Sequence, residues 1–360
     1  MSAADAVARD AIRALTAALD SAADARATTR RAYRIAGEIL AVHATAGAGV
    51  DPLLDAWAPL QVGDAKSSAL DLFIWNDAVD RVALPDSPVL RRELAPEDGL
   101  GGYSDAESHA FFQPAAGVLS IFDAARGRAH WWLRDAATTP YFERAAPCKH
   151  ILQWWMATRG GALLHSAAIA AGEGAKARGI LISGPSGSGK SSTALACLDA
   201  GLGFTSDDYV IVDGATPPRV HLAYSTAKVL RGDLGRFGDH AAHFRNLAHE
   251  DEKPMMFVDQ FARASIRASF APVAIVLPRV AHARCTTFVP IGAAEMLRAL
   301  APSSVLLFPL AGARALARMA ALCSRLPCLR ADLADDPRDV AAAVAALIAD
   351  PASRGLRAVA

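Results

Sequence analysis

The 360-residue chain contains no run of eighteen or more apolar residues, so no segment is expected to span a bilayer. Its first thirty residues are alanine-rich but carry Asp5, Asp10, Asp20 and Asp24, and they lack the apolar core of a secretory signal. Cysteine is scarce and unpatterned. Cys148, Cys197, Cys285, Cys323 and Cys328 are odd in number and include no C-x-x-C spacing, so neither a disulfide framework nor a zinc site is expected and a cytoplasmic location fits. An excess of one charge is missing too: Lys plus Arg number 37 and Asp plus Glu number 37, for a formal net charge of zero. Nucleic-acid-binding chains usually carry a basic surplus. Neither a membrane nor a nucleic acid is therefore an expected partner.

What is present is apolar bulk. Hydrophobic residues make up 52% of the chain and aromatics 7%, which describes an alanine-rich globular protein too long for one ordinary core. Three regions are expected. Residues 1–32 form a helical arm, in which Val7, Ile12, Leu15 and Leu19 recur near helical spacing. Residues 33–145 form a small α+β accessory region with strands at 33–44, 69–75, 115–122 and 129–133, and with Trp75, Trp131 and Trp132 as core. Residues 146–360 form an α/β domain, opened by a helix over 148–158 whose Ile151, Leu152, Trp155 and Met156 make an apolar stripe.

That domain is organised around Gly179-Ile-Leu-Ile-Ser-Gly-Pro-Ser-Gly-Ser-Gly-Lys-Ser-Ser192. The spacing G-x-x-x-x-G-K-[ST] of a phosphate-binding loop is met by Gly184, Gly189, Lys190 and Ser191, with an apolar strand before and a helical run after. The stretch Gly184, Pro185, Ser186, Gly187, Ser188, Gly189 can wrap a backbone round phosphate oxygens, because glycine allows positive φ and turns N–H groups inward. Lys190 offers a cation to the β- and γ-phosphates, Ser191 a hydroxyl to Mg²⁺, and Ser192 continues the first helical turn with its positive dipole end. A nucleoside triphosphate is the expected ligand.

Upstream, the run 162–170 and the strand entering the loop are separated by a short glycine-containing turn, so they are expected to pair as a hairpin that sets His165 opposite Ser183. Downstream, Asp207 and Asp208 follow a short apolar strand, seventeen residues after Lys190. Carboxylates at a strand end beside a nucleotide can divide labour, one accepting a proton and the other serving Mg²⁺. Asp213 also ends an apolar run, but it opens an Asp-Gly turn and that suffices to explain it. The polar segment 231–256 is a candidate flap, with Lys228, Arg245 and Lys253 as the cations that could reach the phosphates.

Three stretches together, Leu164-His-Ser-Ala-Ala-Ile169, the glycine-rich loop with its flanks, and Gly201-Leu-Gly-Phe-Thr-Ser-Asp-Asp-Tyr209, resemble the HPr kinase/phosphorylase family. The resemblance implies an α/β fold like that of phosphoenolpyruvate carboxykinase, with a smaller α+β region ahead of it. It further implies an ATP- and Mg²⁺-dependent kinase acting on a serine-type hydroxyl, with Asp207 as base, Asp208 as the Mg²⁺-associated acid, His165 as their neighbour and Ser191 as metal ligand. The family's glutamate-containing signature is absent, and Leu222-Ala-Tyr-Ser-Thr-Ala-Lys228 stands in its place. The expected acceptor is therefore a protein or peptide that need not be HPr. A homo-oligomer is compatible with this reading. A nucleotide-regulated switch without acceptor and a small-molecule kinase are the alternatives.

Overall fold

A computed structural model describes residues 3–87, 102–104, 107–305 and 312–351. The described residues divide into a first unit, which holds those up to Thr158 other than Ala56–Pro59, and a second that holds Ala56–Pro59 and those from Arg159 on.

In the first unit eight described strands form one mixed sheet. The stretch expected as a single strand over 33–44 is a hairpin of Thr28–Ile35 and Glu38–Thr45. Ala36 and Gly37 both take positive φ, +48° and +87°, the condition for a two-residue turn whose twist matches its strands. Leu70–Asn76 runs parallel to Glu38–Thr45 and to Arg128–Leu133, which then pairs with Val118–Asp123. The helix Ala3–Ala25 is not a free arm. Ile12, Leu15, Leu19 and Ala22 are buried against Trp75, Leu119, Ile121 and Trp132 of the sheet, so the helical periodicity marks a packing face. Trp75, Trp131 and Trp132 are buried, as core residues.

The helix Lys149–Thr158 groups with this first unit, although residues 146–158 were expected to open the second domain. Every side chain from Lys149 to Met156 is buried, and Lys149 is paired with Glu143. The helix's apolar stripe was legible, but which unit covered it was not.

The second unit is a mixed sheet of nine described strands with helices on both faces. Its spine is the long strand Ser269–Ala283, parallel to Arg178–Ile182 on one side and to Cys328–Ala334 on the other. On one face, helices Lys190–Asp199 and Pro337–Ala349 bury Leu195, Leu198, Val344 and Leu347 against Ile180, Ile182 and Val276. On the other, helices Ala293–Val305 and Gly312–Arg325 bury Met296, Leu300, Met319 and Leu322 against Leu181, Val210 and Ile275. In the strands, alternate residues supply opposite faces, which is why Ile180 and Ile182 go to one core and Leu181 to the other. The parallel strands leave their carboxyl ends on one rim, where ligands collect in α/β sheets.

Candidate active site

The glycine-rich loop leaves the carboxyl end of strand Arg178–Ile182 and runs directly into helix Lys190–Asp199. One glycine is needed in the strand before the loop and one where the helix begins. At Gly179 an added Cβ would lie 2.3 Å from the Ile169 carbonyl oxygen of the neighbouring strand. Gly189 caps the helix at φ +106°, where a Cβ would also lie 2.7 Å from Leu333 Cδ1. Lys190 is buried, and its Nζ donates to the carbonyls of Gly184 at 2.8 Å and Pro185 at 3.0 Å. Burial draws its pKa down, while Asp207 and Asp208 hold it up.

The apolar run 162–170 is not one strand. It breaks at Ser166 into Ala162–His165, paired with Tyr209–Val212, and Ala167–Ala171, paired with the strand entering the loop. The hairpin pairs Ala167 with Ile182, one residue from the expected register. In this register His165 does not face Ser183. Ser166 does, with the Ser183 hydroxyl donating to its oxygen at 2.8 Å. The Ser166 N–H donates to the Asp208 carbonyl at 3.0 Å, and its hydroxyl hydrogen-bonds to backbone carbonyls, which satisfies the polar groups that the break releases.

His165 is instead aligned with Tyr209, and its ring reaches back to the preceding residue. Its Nε2 lies 2.8 Å from Asp208 Oδ1 and, since that carboxylate is ionised, donates to it. Lys228 Nζ takes the other oxygen of Asp208 at 2.5 Å. Burial works against the charge on Asp208, yet the Lys228 ammonium and the His165 ring hold its carboxyl well below the usual carboxylate range. Asp207 has the opposite surroundings. It is 2% exposed, Oδ2 accepts the Lys228 backbone N–H at 2.7 Å, and Oδ1 is buried with no hydrogen-bond partner. Burial pushes its pKa up to about 6, against the pull of the Lys228 N–H and the nearby Ser191 hydroxyl.

These groups line one cavity of about 390 Å³. Ser186, Gly187, Gly189, Lys190, Ser191, Ser192, His165, Asp207 and Asp208 all border it. Gly184 and Pro185 contribute through the carbonyls that hold Lys190, and Ser188 turns to an adjoining open groove on the outer side of the loop. Of the three candidate cations, Lys228 and Lys253 line the cavity, Lys253 Nζ lying 3.2 Å from Ser186 Oγ. Arg245 is bonded to Gln260 and is not part of the lining. Asp233, Arg236 and His282 also line it and were not singled out from sequence. The first two lie in the polar flap segment, whose composition hid them among other charges. His282 sits at the end of the spine strand, where no local pattern marks it. Asp213 accepts the N–H groups of Ala215 and Arg219 and pairs with His221, as a turn residue does.

Chemically, the cavity joins a glycine-rich loop, several cations and three carboxylates, of which the adjacent Asp207 and Asp208 differ in character. Among the described residues there is no group of three or more His, Cys, Asp and Glu side chains set to hold a metal. Mg²⁺ beside a nucleotide does not need one, since it commonly binds one or two protein oxygens, with waters and phosphates completing its shell. The unpartnered Asp207 Oδ1 beside Ser191 fits that demand. Asp208, expected as the metal's acid, has both oxygens engaged by His165 and Lys228.

No protein-family model matches the chain, and no curated protein matches it. Among solved structures, the HPr(Ser) kinase/phosphatase from Coxiella burnetii is similar over 54% of this chain and 97% of its own, at 10% identity and a TM-score of 0.27. None of the described helices is long and apolar enough to cross a membrane.

Proposed function

We propose that the second unit is a P-loop kinase that uses ATP and Mg²⁺ to phosphorylate a serine-type hydroxyl of a protein or peptide. The observation that carries this reading is the convergence of the glycine-rich loop, buried Lys190 and the paired carboxylates Asp207 and Asp208 on one cavity. Its three lysines, with Arg236, supply positive charge for phosphates, and its volume is in the range of small-ligand sites.

Ser191 and Asp207 are the residues that would hold Mg²⁺, which supplies neutralisation of phosphate charge when bound. A buried carboxylate that is hard to ionise and has one free oxygen is stabilised by a cation, so Asp207 suits this part better than the base's. The proton-accepting part then passes to Asp208, the reverse of the assignment that the resemblance implied. His165 orients its carboxylate, and Lys228, released to the γ-phosphate, leaves an oxygen open to the acceptor hydroxyl. Phosphoryl transfer asks little of the base before the bond to the leaving group is largely broken, so a low pKa is no obstacle. The acceptor oxygen bonds to the γ-phosphorus, the bond to the β-phosphate oxygen breaks, the hydroxyl proton passes to Asp208, and ADP leaves. Lys190, at the loop, meets the charge that develops on the transferred group.

The test is to incubate the protein with γ-labelled ATP and Mg²⁺, with candidate peptides and small hydroxyl compounds, and to follow the label. Label on a peptide serine is the expected result. Label appearing only as inorganic phosphate supports the switch alternative, and label on a small compound supports the small-molecule kinase.

A further inference from the structure

Helix Lys190–Asp199 turns a second face, Ser192, Ala196 and Asp199, toward a narrow slot of about 80 Å³ beside the cavity. At roughly 10–15 Å³ for one water, the slot has room for several waters or a small planar ring. The two spaces adjoin, with Gly189, Ser192, Arg236 and Val280 bordering both. The far wall is apolar, formed by Phe237, Leu333 and Val340. On the helix side Thr193, 3% exposed, also lines the slot, and its hydroxyl is buried without a hydrogen-bond partner. Such a group is costly unless something arrives to bond it. At the mouth stand two acceptors, Asp199 and Asp335, each held through Oδ1 by a histidine, His240 and His282 respectively.

The order of residues along the first helical turn gives the slot a direction. Ser191 borders the space shared with Asp207 and Asp208, Ser192 borders both spaces, and Thr193 borders the slot alone. A triphosphate laid along this turn with its γ end at the carboxylates points its α end at Ser192. From these relations we infer that the slot seats the nucleobase of the bound nucleotide, with the Thr193 hydroxyl and the carboxylates of Asp199 and Asp335 meeting its nitrogen and amino groups. Apolar walls with a few placed polar atoms are what a flat heteroaromatic ring requires. This inference rests on the phosphate-loop reading above.

Calorimetric titration of the whole chain with ATP and with inorganic tripolyphosphate separates the two. The wild type should bind ATP about tenfold or more tightly than tripolyphosphate, the margin that base contacts add to phosphate contacts. Thr193→Val removes the unmet hydroxyl at constant shape, and Ala196→Leu fills the slot. Each should weaken ATP binding several-fold while leaving tripolyphosphate binding as it was. An unchanged ratio in both variants, or a wild type that does not distinguish the two ligands, overturns the base seat and leaves the phosphate loop standing. Failure of the wild type to bind either ligand overturns both readings.

Discussion

His165 and Asp208 meet at 2.8 Å although they are not register partners: His165 is aligned with Tyr209, and its ring reaches one residue back along the neighbouring strand. The contact joins a ring at the end of one short strand to a carboxylate just before the start of another. If this ring orients the proton acceptor, His165→Gln should lower kcat about tenfold or more while ATP affinity stays near normal. A variant with the wild-type rate would return His165 to a purely structural part.

The two aspartates should separate in stability as well as in rate. Asp207 has a folded pKa of about 6 against an ordinary 3.8, so the folded form holds more protons between those values. Stability must then fall as pH rises through that window and stay level above it. Asp207→Asn removes the penalty, and at pH 8 without Mg²⁺ it should be more stable than the wild type by up to about 3 kcal/mol. Its turnover should nevertheless be lost, with a weakened response to Mg²⁺. Denaturant titrations at pH 4 and pH 8 read the sign, and equal stabilities at pH 8 would remove the argument that Asp207 is suited to hold a cation.

Asp208→Asn should behave in the opposite sense. Its depressed pKa contributes stability that is present above the unfolded value near 4 and is lost as pH falls through the folded one. The asparagine variant should therefore be less stable at neutral pH, with near-normal nucleotide affinity and a rate loss of about a hundredfold or more. Normal turnover in this variant, with a dead Asp207→Asn, would restore the base to Asp207.

Lys228→Met tests the cation that holds Asp208 at 2.5 Å. Without it the Asp208 carboxyl of the free enzyme should titrate at higher pH, so the acid limb of kcat/KM, which reports the enzyme before ATP draws Lys228 away, should move upward. The variant should also lose stability at neutral pH and approach the wild type well below pH 4. An acid limb that stays in place would show that Lys228 is not the group setting this carboxylate.

Lys190→Ala and Ser191→Ala should each abolish ATP turnover without unfolding the chain. Both lie at the start of a helix whose packing rests on Ala194, Leu195 and Leu198, so far-ultraviolet dichroism and melting should change little. Retained turnover in either soluble variant would remove the loop from the mechanism.

Much of this molecule is written in short-range patterns. The loop Gly184–Gly189 between an apolar strand and a helix, the turn at Asp213, the apolar face of the helix Ala3–Ala25 and the buried tryptophans are all set by residues a few places apart. The readings that needed correction turn on single residues. Ala36 and Gly37 reverse the chain inside what looks like one strand, and Ser166 divides a run of apolar residues that has no glycine or proline to mark the break. The helix Lys149–Thr158 shows its apolar residues plainly, but hydrophobicity has no address, and its place in the first unit comes from which surface covers it.

By itself, the sequence determined the residue types from which a site could be built and the elements that carry them, because residue type and helical or strand period are local properties of the chain. Only the tertiary structure decided how they are divided. The switch of strands at Ser166 brings His165 to Asp208 rather than to Ser183, and the return of the chain at Lys228 puts an ammonium on one carboxylate and a backbone N–H on the other. The two acids are adjacent and chemically identical in sequence. Their different partners, set by segments about twenty and forty residues away, hold one charged and leave the other with an unpaired oxygen, because a buried charge is governed by what surrounds it.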